Sequence, residues 1–463
     1  MNKALIVAIG LAGGLGFPSF TSVAPLFQLI FLGAMFSFAD NAKRAKSAAI
    51  IAFAMTFLQS LVAYAWLAEP FGFVDMAWLG APMVALMALY MALYAIPAAL
   101  VAYRTKSAIA FGFAIGLLEW LRSFMFTGFA WNPVSVGWNF YLPMMQSLSL
   151  FGAYGLSALT AMAAAMMSRK SEVKYGISIL AGLLIFGLVR LEAPARIPLK
   201  VRLMNVDQRN PLERDSMKLQ KYELLANAEG GASVGLFAMP ESASDMDLYN
   251  APNALGGVMR MNNPRSVAIL GMTRKVDGEL FNAMAAIDGS GMLAHYDKRH
   301  LVPFGEYMPK WLPFLEKMTG GEKGFSSGEL EPIMEIKERS VAPLICFEAI
   351  FPGLRLKGGP DMLLNVSNDA WFAPQGRVQH FELSRMRAIE EGLPMVRAAN
   401  SGISAIISPQ GHIGAVLAAQ GYKDGLMFAR PTRKTLFGFT GNWLFVLIAT
   451  GGLVWIYLKR RRN

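Results

Sequence analysis

The sequence holds a single cysteine, Cys346, at the end of the apolar run Val341–Cys346 and immediately before Phe347 and Glu348. A thiol at a strand end, ahead of a turn, can be presented beside free backbone N–H groups, which serve as oxyanion donors. The same position also suits an inert, buried thiol. Two more polar residues follow strand-like runs. Glu241 lies in "MPES", after Leu236–Met239, and Lys298 lies in "YDKRHLVPFGEYMP", which also carries Glu306. A free thiol ionises near pH ~8.5, so it needs a base to become a nucleophile. A glutamate can take that proton and later return it to a leaving group. A fixed lysine ammonium can stabilise a tetrahedral oxyanion. Taken singly, a Glu or Lys after a strand reads as an ordinary solvated loop residue; the chemistry requires that the three converge.

Convergence requires a sheet. From Glu192 to Arg433, short β-like runs alternate with amphipathic ones. Val201–Val206, Val234–Met239, Val267–Met272, Ala283–Ile287, Val341–Cys346, Met362–Val366 and Ile403–Ile407 read as strands. Pro211–Ala228 and Val378–Glu391 read as helices, and Asp288-Gly289-Ser290-Gly291 as a hairpin turn. This is the pattern of an α/β globular domain of ordinary size. Polar residues at its strand ends can meet at one sheet edge.

The sequence around that domain is of another kind. The 463-residue chain is 54% hydrophobic and 16% charged, with mean hydropathy +0.38, whereas soluble domains carry about 25% charged residues. Seven apolar stretches come first: Ala4–Phe17, Val23–Phe38, Ser47–Ala68, Met76–Tyr103, Ala108–Met125, Met144–Met167 and Tyr175–Val189. One more, Leu436–Leu458, follows the domain. A bilayer core needs about 20 apolar residues; the first two stretches and the seventh are shorter, which little tilt or a thinned bilayer accommodates. Met1–Gly16 has some marks of a signal peptide, but no clean cleavage site leads into a soluble segment. The expected architecture is a multi-pass α-helical membrane protein with about eight transmembrane helices and an inserted α/β domain. Residues 1–191 form the seven-helix region, 192–433 the globular domain, and 434–463 the last helix with a basic tail.

The net charge of +11 would suggest nucleic acid in a soluble protein. Here the basic residues cluster beside apolar runs, at Lys43–Lys46, Arg104/Lys106, Arg169–Lys174 and Lys459–Arg462, as cytoplasmic loops do. Counting spans from the last two clusters puts the globular domain outside, so no nucleic acid is expected as a partner. A single cysteine excludes an intramolecular disulfide and a multi-cysteine zinc site. His300 and His380 are not spaced as metal ligands and read as polar surface or loop-ordering residues. Glu119 and Arg122, three apart in an apolar run, can share a helix face. They read either as a structural pair or as a contact for a lipid headgroup.

The order Glu241, Lys298, Cys346 resembles the Glu-Lys-Cys triad of the nitrilase, or carbon–nitrogen hydrolase, superfamily. The proline before Glu241, "YDKRHLVPFGE", "LICFEAIFP", "LLNVSNDAWF" and "RAIEEGLPMVRAANSGISAII" carry the likeness. Seven helices before such a domain and one after it, with "LEWLRSFMFTGFAWNP" and "FGAYGLS", are similar to the apolipoprotein N-acyltransferase family. The resemblance implies a nitrilase-like αββα sandwich on the periplasmic side of a bacterial inner membrane. It implies Glu241 as general base, Lys298 as oxyanion stabiliser and Cys346 as acylated nucleophile, with Glu306, Glu348 and Trp371 in support. It implies no cofactor and no metal. The expected reaction moves an acyl chain from a phospholipid donor, through a thioester, to a diacylated apolipoprotein acceptor; the alternative is a membrane-anchored amidase acting on a small amide. Apolar loop residues Trp311–Phe314 and Phe325 are candidates for admitting acyl chains. Met239, Asn205 and Ser408 depart from the Trp, Gln and Asp usual in the family, which bears on substrate preference more than on reaction class.

Overall fold

The computed structural model describes residues 3–18, 20–206, 218–244, 247–248, 266–308, 324–329, 333–354, 356 and 358–462. Its first half is helical. Among the described residues, five helices are long and apolar enough to cross a membrane: Ala45–Ala63, Ala77–Thr105, Leu148–Met167, Val173–Arg190 and Trp443–Arg462. The helices Lys3–Gly13 and Ala24–Asp40 are apolar but shorter, and Ala108–Arg122 has 15 residues. Leu148–Met167 is the most enclosed of the long helices. Small residues let its neighbours approach: a Cβ on Gly112 would stand 2.6 Å from the Ala158 carbonyl oxygen, the close backbone contact that holds helices together where lipid offers no hydrophobic drive.

Two apolar stretches break earlier or later than the hydropathy pattern implies. The segment expected at Leu436–Leu458 is a short helix, Leu436–Thr440, then a turn at Gly441 (φ 57°), then Trp443–Arg462. Thr435 caps the short helix through the Gly438 N–H, and Asn442 Nδ2 donates to the Pro352 carbonyl at 3.1 Å. The spanning helix therefore begins at Trp443. Likewise Ser47–Ala68 is the helix Ala45–Ala63 followed by a 3-10 turn at Ala65–Ala68.

Among the described residues, the second half is built on twelve strands: β1 Arg196–Asn205, β2 Leu236–Ala238, β3 Val267–Val276, β4 Glu279–Asp288, β5 Gly291–Asp297, β6 Met334–Ile336, β7 Arg339–Ile345, β8 Met362–Asn368, β9 Met395–Asn400, β10 Ser404–Ile407, β11 Ile413–Leu417 and β12 Gly421–Phe428. They form two six-stranded sheets, ordered β12-β1-β2-β3-β4-β5 and β11-β10-β9-β8-β7-β6. Alternate residues on a strand point to opposite faces, and here both faces are covered. Val201, Leu203, Ile269 and Met284 of one sheet meet Val341, Ile345, Leu364 and Val366 of the other. On the outer faces, Tyr222 and Ala226 of the Lys218–Ala226 helix pack on the first sheet, and Phe381 and Ala388 of the Pro374–Glu391 helix pack on the second. The result is an αββα sandwich. Of the helix expected at Pro211–Ala228, residues 211–217 lie outside the described residues.

The Pro374–Glu391 helix also seats the sandwich on the helical half. Its Leu383, Met386 and Ile389 share an apolar cluster with Trp131, Tyr154 and Phe445. Polar bonds cross the same junction: Arg385 donates to the Asn139 carbonyl, and Glu390 accepts the Ala153 N–H at 2.8 Å. That N–H is free because Gly152, at φ 65°, kinks the Leu148–Met167 helix.

Candidate active site

Four strand ends from both sheets converge. Cys346 follows β7, Lys298 follows β5, Glu241 follows β2 by way of Met239 and Pro240, and Asn368 ends β8. Glu241, Lys298 and Cys346 are all buried. Lys298 Nζ lies 2.8 Å from Glu306 Oε1 and 3.5 Å from Glu241 Oε1. Asn282, on β4, donates through Nδ2 to both carboxylates, at 2.6 and 2.7 Å. The Asn368 N–H holds the other Glu241 oxygen at 2.7 Å. Glu241 is therefore fixed at both oxygens, and Lys298 stands between two carboxylates.

Glu306 and Glu348 order the backbone around the lysine. Glu306 Oε2 accepts the Val302 N–H at 2.7 Å. Glu348 is a buried hub: it accepts the Tyr296 hydroxyl and the Arg299, His300 and Ile345 N–H groups at 2.7–3.1 Å. It thereby ties the Lys298 loop to the Cys346 turn. Trp371 is half-buried in a 3-10 turn after β8 and meets Phe73 edge-on at 6.1 Å. Phe325 is half-buried, with its N–H on the Glu306 carbonyl, while Trp311–Phe314 lie outside the described residues.

The electrostatics follow from burial and charge. Burial, and then the negative charge of Glu241, push the Cys346 thiol up from its ordinary value, against the pull of Lys298. The resting Cys346 side chain is a protonated thiol. Burial works against the charge on Lys298, but Glu306 and then Glu241 outweigh it and hold the ammonium protonated well above the usual lysine range. Such a site offers a held thiol, an ordered carboxylate and a permanent cation.

Cys346 has φ 48° and opens a 3-10 turn, Cys346–Ile350. Its carbonyl faces His380 Nε2 at 3.1 Å, and His380 Nδ1 faces Asp369 Oδ1 at 2.8 Å. Arg397 Nη2 binds the other Asp369 oxygen at 2.7 Å. Burial raises and Arg397 lowers the Asp369 pKa; with His380 and Ser367 added, the carboxyl lies below its usual range. His380 is fully buried, which corrects its sequence assignment to a surface or loop-ordering role. Asn282, Tyr296 and Asn368 were not singled out in the sequence. The available signal was a polar residue within an apolar strand, as Asn282 is in "LFNAMAAI".

Glu119 and Arg122 lie away from this triad, in the helical half. Glu119 Oε1 accepts the Val134 N–H at 2.8 Å, while Arg122 Nη1 donates to the Tyr64 hydroxyl and meets the Met91 sulfur. Both line a cavity of about 100 Å³ with Tyr64, Met91 and Asn132.

Comparison with known proteins covers both halves. Residues 9–166 match the apolipoprotein N-acyltransferase N-terminal domain, and residues 247–429 match carbon-nitrogen hydrolase, a range that takes in Lys298 and Cys346 and begins just after Glu241. Similar proteins include apolipoprotein N-acyltransferases of Allorhizobium ampelinum, 34% identical over 314 residues (61% of this chain, 59% of that one), and of Brucella suis, 34% over 324 residues (62% and 60%). A third, from Rhodopseudomonas palustris, is 32% identical over 324 residues (61% and 60%). The match spans about three-fifths of the length of these relatives. Each half of the chain thus resembles a known domain, the apolipoprotein N-acyltransferase N-terminal domain in one and carbon-nitrogen hydrolase in the other.

Proposed function

We propose that this protein transfers an acyl chain from a membrane phospholipid to the α-amine of the diacylglyceryl-cysteine at the N-terminus of a lipoprotein. The observation that carries this is the convergence of Glu241, Lys298 and Cys346 in a buried site on a sandwich seated against apolar helices. Glu241 takes the thiol proton as Cys346 Sγ attacks the ester carbonyl. The tetrahedral oxyanion forms beside the Lys298 ammonium. Collapse breaks the ester C–O bond, and the departing lysophospholipid oxygen takes the proton from Glu241, leaving a thioester. The acceptor amine then attacks the thioester, Glu241 takes the amine proton, and the C–S bond breaks. Cys346 regains the proton, and an amide has formed. A buried site favours the amine over water in the second step. Anchoring both lipid substrates in one membrane makes their encounter a positioned one.

The names of the relatives favour transfer over the small-amide hydrolysis that the same triad could perform. We further propose a division into residues 1–191, 192–433 and 434–463, eight spans, and a periplasmic sandwich on a bacterial inner membrane. The basic clusters support that orientation. Asp40 pairs with Arg169 at 2.8 Å, Arg169 reaches the Lys106 carbonyl, and Arg460 reaches the Arg104 carbonyl, so these groups gather at one end of the helices. Cytoplasmic ends carry such excess. Incubating purified protein with a diacylated lipopeptide and phospholipid tests the function: N-acylated lipopeptide supports it, and hydrolysis of soluble amides without lipopeptide acylation overturns it.

A further inference from the structure

A residue other than glycine at positive φ is strained and persists only where its surroundings hold it. Cys346 is such a residue, at φ 48°. The bond to His380 acts on the peptide unit between Cys346 and Phe347. That unit is planar, so fixing the Cys346 carbonyl also fixes the Phe347 N–H, which points the opposite way. The N–H following a nucleophile is a natural oxyanion donor. Control of this one plane therefore sets both the thiol's presentation and a donor to the developing charge.

His380 is itself held from two sides. Both of its ring nitrogens face oxygen acceptors, Asp369 Oδ1 and the Cys346 carbonyl. Arg397 and Ser367 fix Asp369 in turn. The face of the ring stacks on Trp131, with centroids 5.3 Å apart and planes 23° from parallel, which fixes the plane of the imidazole. Trp131 comes from the helical half, between the helices Ala108–Arg122 and Leu148–Met167. Its indole N–H donates to Gln379 Oε1 at 2.9 Å, and Gln379 also receives Asn132 and donates to the Ala63 carbonyl.

We propose that His380 and Trp131 are positioning residues for the nucleophile, through which the helical half sets the geometry of the Cys346–Phe347 peptide plane. The kinetic arm of the test rests on the acyl-transfer function above; the thiol arm does not, because Cys346 is the only cysteine in the chain and alkylation reports on it alone.

The experiment uses full-length protein in detergent, as wild type and as His380→Ala, His380→Gln, Trp131→Leu and Trp131→Phe, with thermal unfolding as a control for folding. For His380→Ala, phospholipid kcat should fall roughly 10–100-fold with KM changed less than about threefold. Trp131→Leu should move the same way by less. Glutamine retains a donor near the position of Nε2, and phenylalanine retains an aromatic face, so both should recover part of the loss. Iodoacetamide alkylation should change alongside kcat in the folded variants. Folded His380→Gln and Trp131→Leu with alkylation rate and kcat both within about twofold of wild type would overturn the proposal, whether or not the alanine variant folds. If wild type forms no acyl-enzyme, the acyl-transfer function fails, and the alkylation series alone decides the role of His380 and Trp131.

Discussion

Cys346 rests as a thiol rather than a thiolate, because burial and Glu241 together outweigh Lys298. Its alkylation by iodoacetamide should accordingly be slow near neutrality and keep rising above pH ~8.5, the ordinary thiol value. A rate that levels off below that pH would mean a preformed ion pair and contradict the geometry. In the proposed mechanism the proton leaves through Glu241, which Asn282 and the Asn368 N–H hold in place. Glu241→Gln keeps the size and an acceptor but removes the base. It should slow acyl-enzyme formation by about 10²–10⁴-fold while leaving the unfolding temperature close to wild type; a fall under tenfold would assign the base elsewhere. Glu241, Lys298 and Cys346, which meet in the buried site, were legible in the sequence because each sits in a short, distinctive segment after an apolar run. His380 was not: in "GRVQHFELSR" it has the spacing of any polar helix residue, and only the packing of three separate segments buries it.

At the scale of elements, the strands that carry the site were legible and several that merely complete the sheets were not. β7 and β8 are buried on both faces and read as apolar runs. β11 and β12 lie at or near sheet edges, and "GYKDGLMF" looks like a loop. It is a strand because Asp424 pairs with Lys200 and Arg202 across the β1–β12 register. The end of the last helix was misplaced for a related reason: hydropathy does not register a cap at Thr435 or a turn at Gly441. Backbone geometry also makes a test. A Cβ at Gly152 would stand 2.1 Å from the Phe437 ring at φ 65°, whereas Gly182 has open space. Gly152→Ala should destabilise the protein by about 2 kcal/mol or more, read as a lower unfolding temperature in detergent. Gly182→Ala should be neutral or slightly stabilising; equal effects from the two would mean that the kink does not hold the junction.

For the molecule as a whole, the junction of sandwich and helices concentrates buried charge. Burial raises the Glu391 pKa to about 7, against the Leu354 N–H and Arg387. The folded state then holds a proton that the unfolded chain releases near pH ~4.5, so stability from this group falls as pH rises from there to about 7 and levels off above. Glu391→Gln keeps the acceptor for Leu354. Its unfolding temperature relative to wild type should climb across that window; a constant difference would mean that Glu391 is ionised at all these pH values. The membrane-bound architecture was legible from hydropathy, since five helices meet the length and composition for a span. The seating of the Pro374–Glu391 helix was not, because the groups it meets across the junction, the Asn139 carbonyl and the Ala153 N–H, lie far away in sequence.

The most direct test is mass spectrometry of the purified protein after incubation with phospholipid and no acceptor, beside Cys346→Ala. The expected result is an acyl adduct on the Cys346 peptide, released by hydroxylamine, absent from the variant, and discharged by a diacylated lipopeptide. A folded protein that gains no adduct from any of several phospholipids would contradict acyl transfer through Cys346.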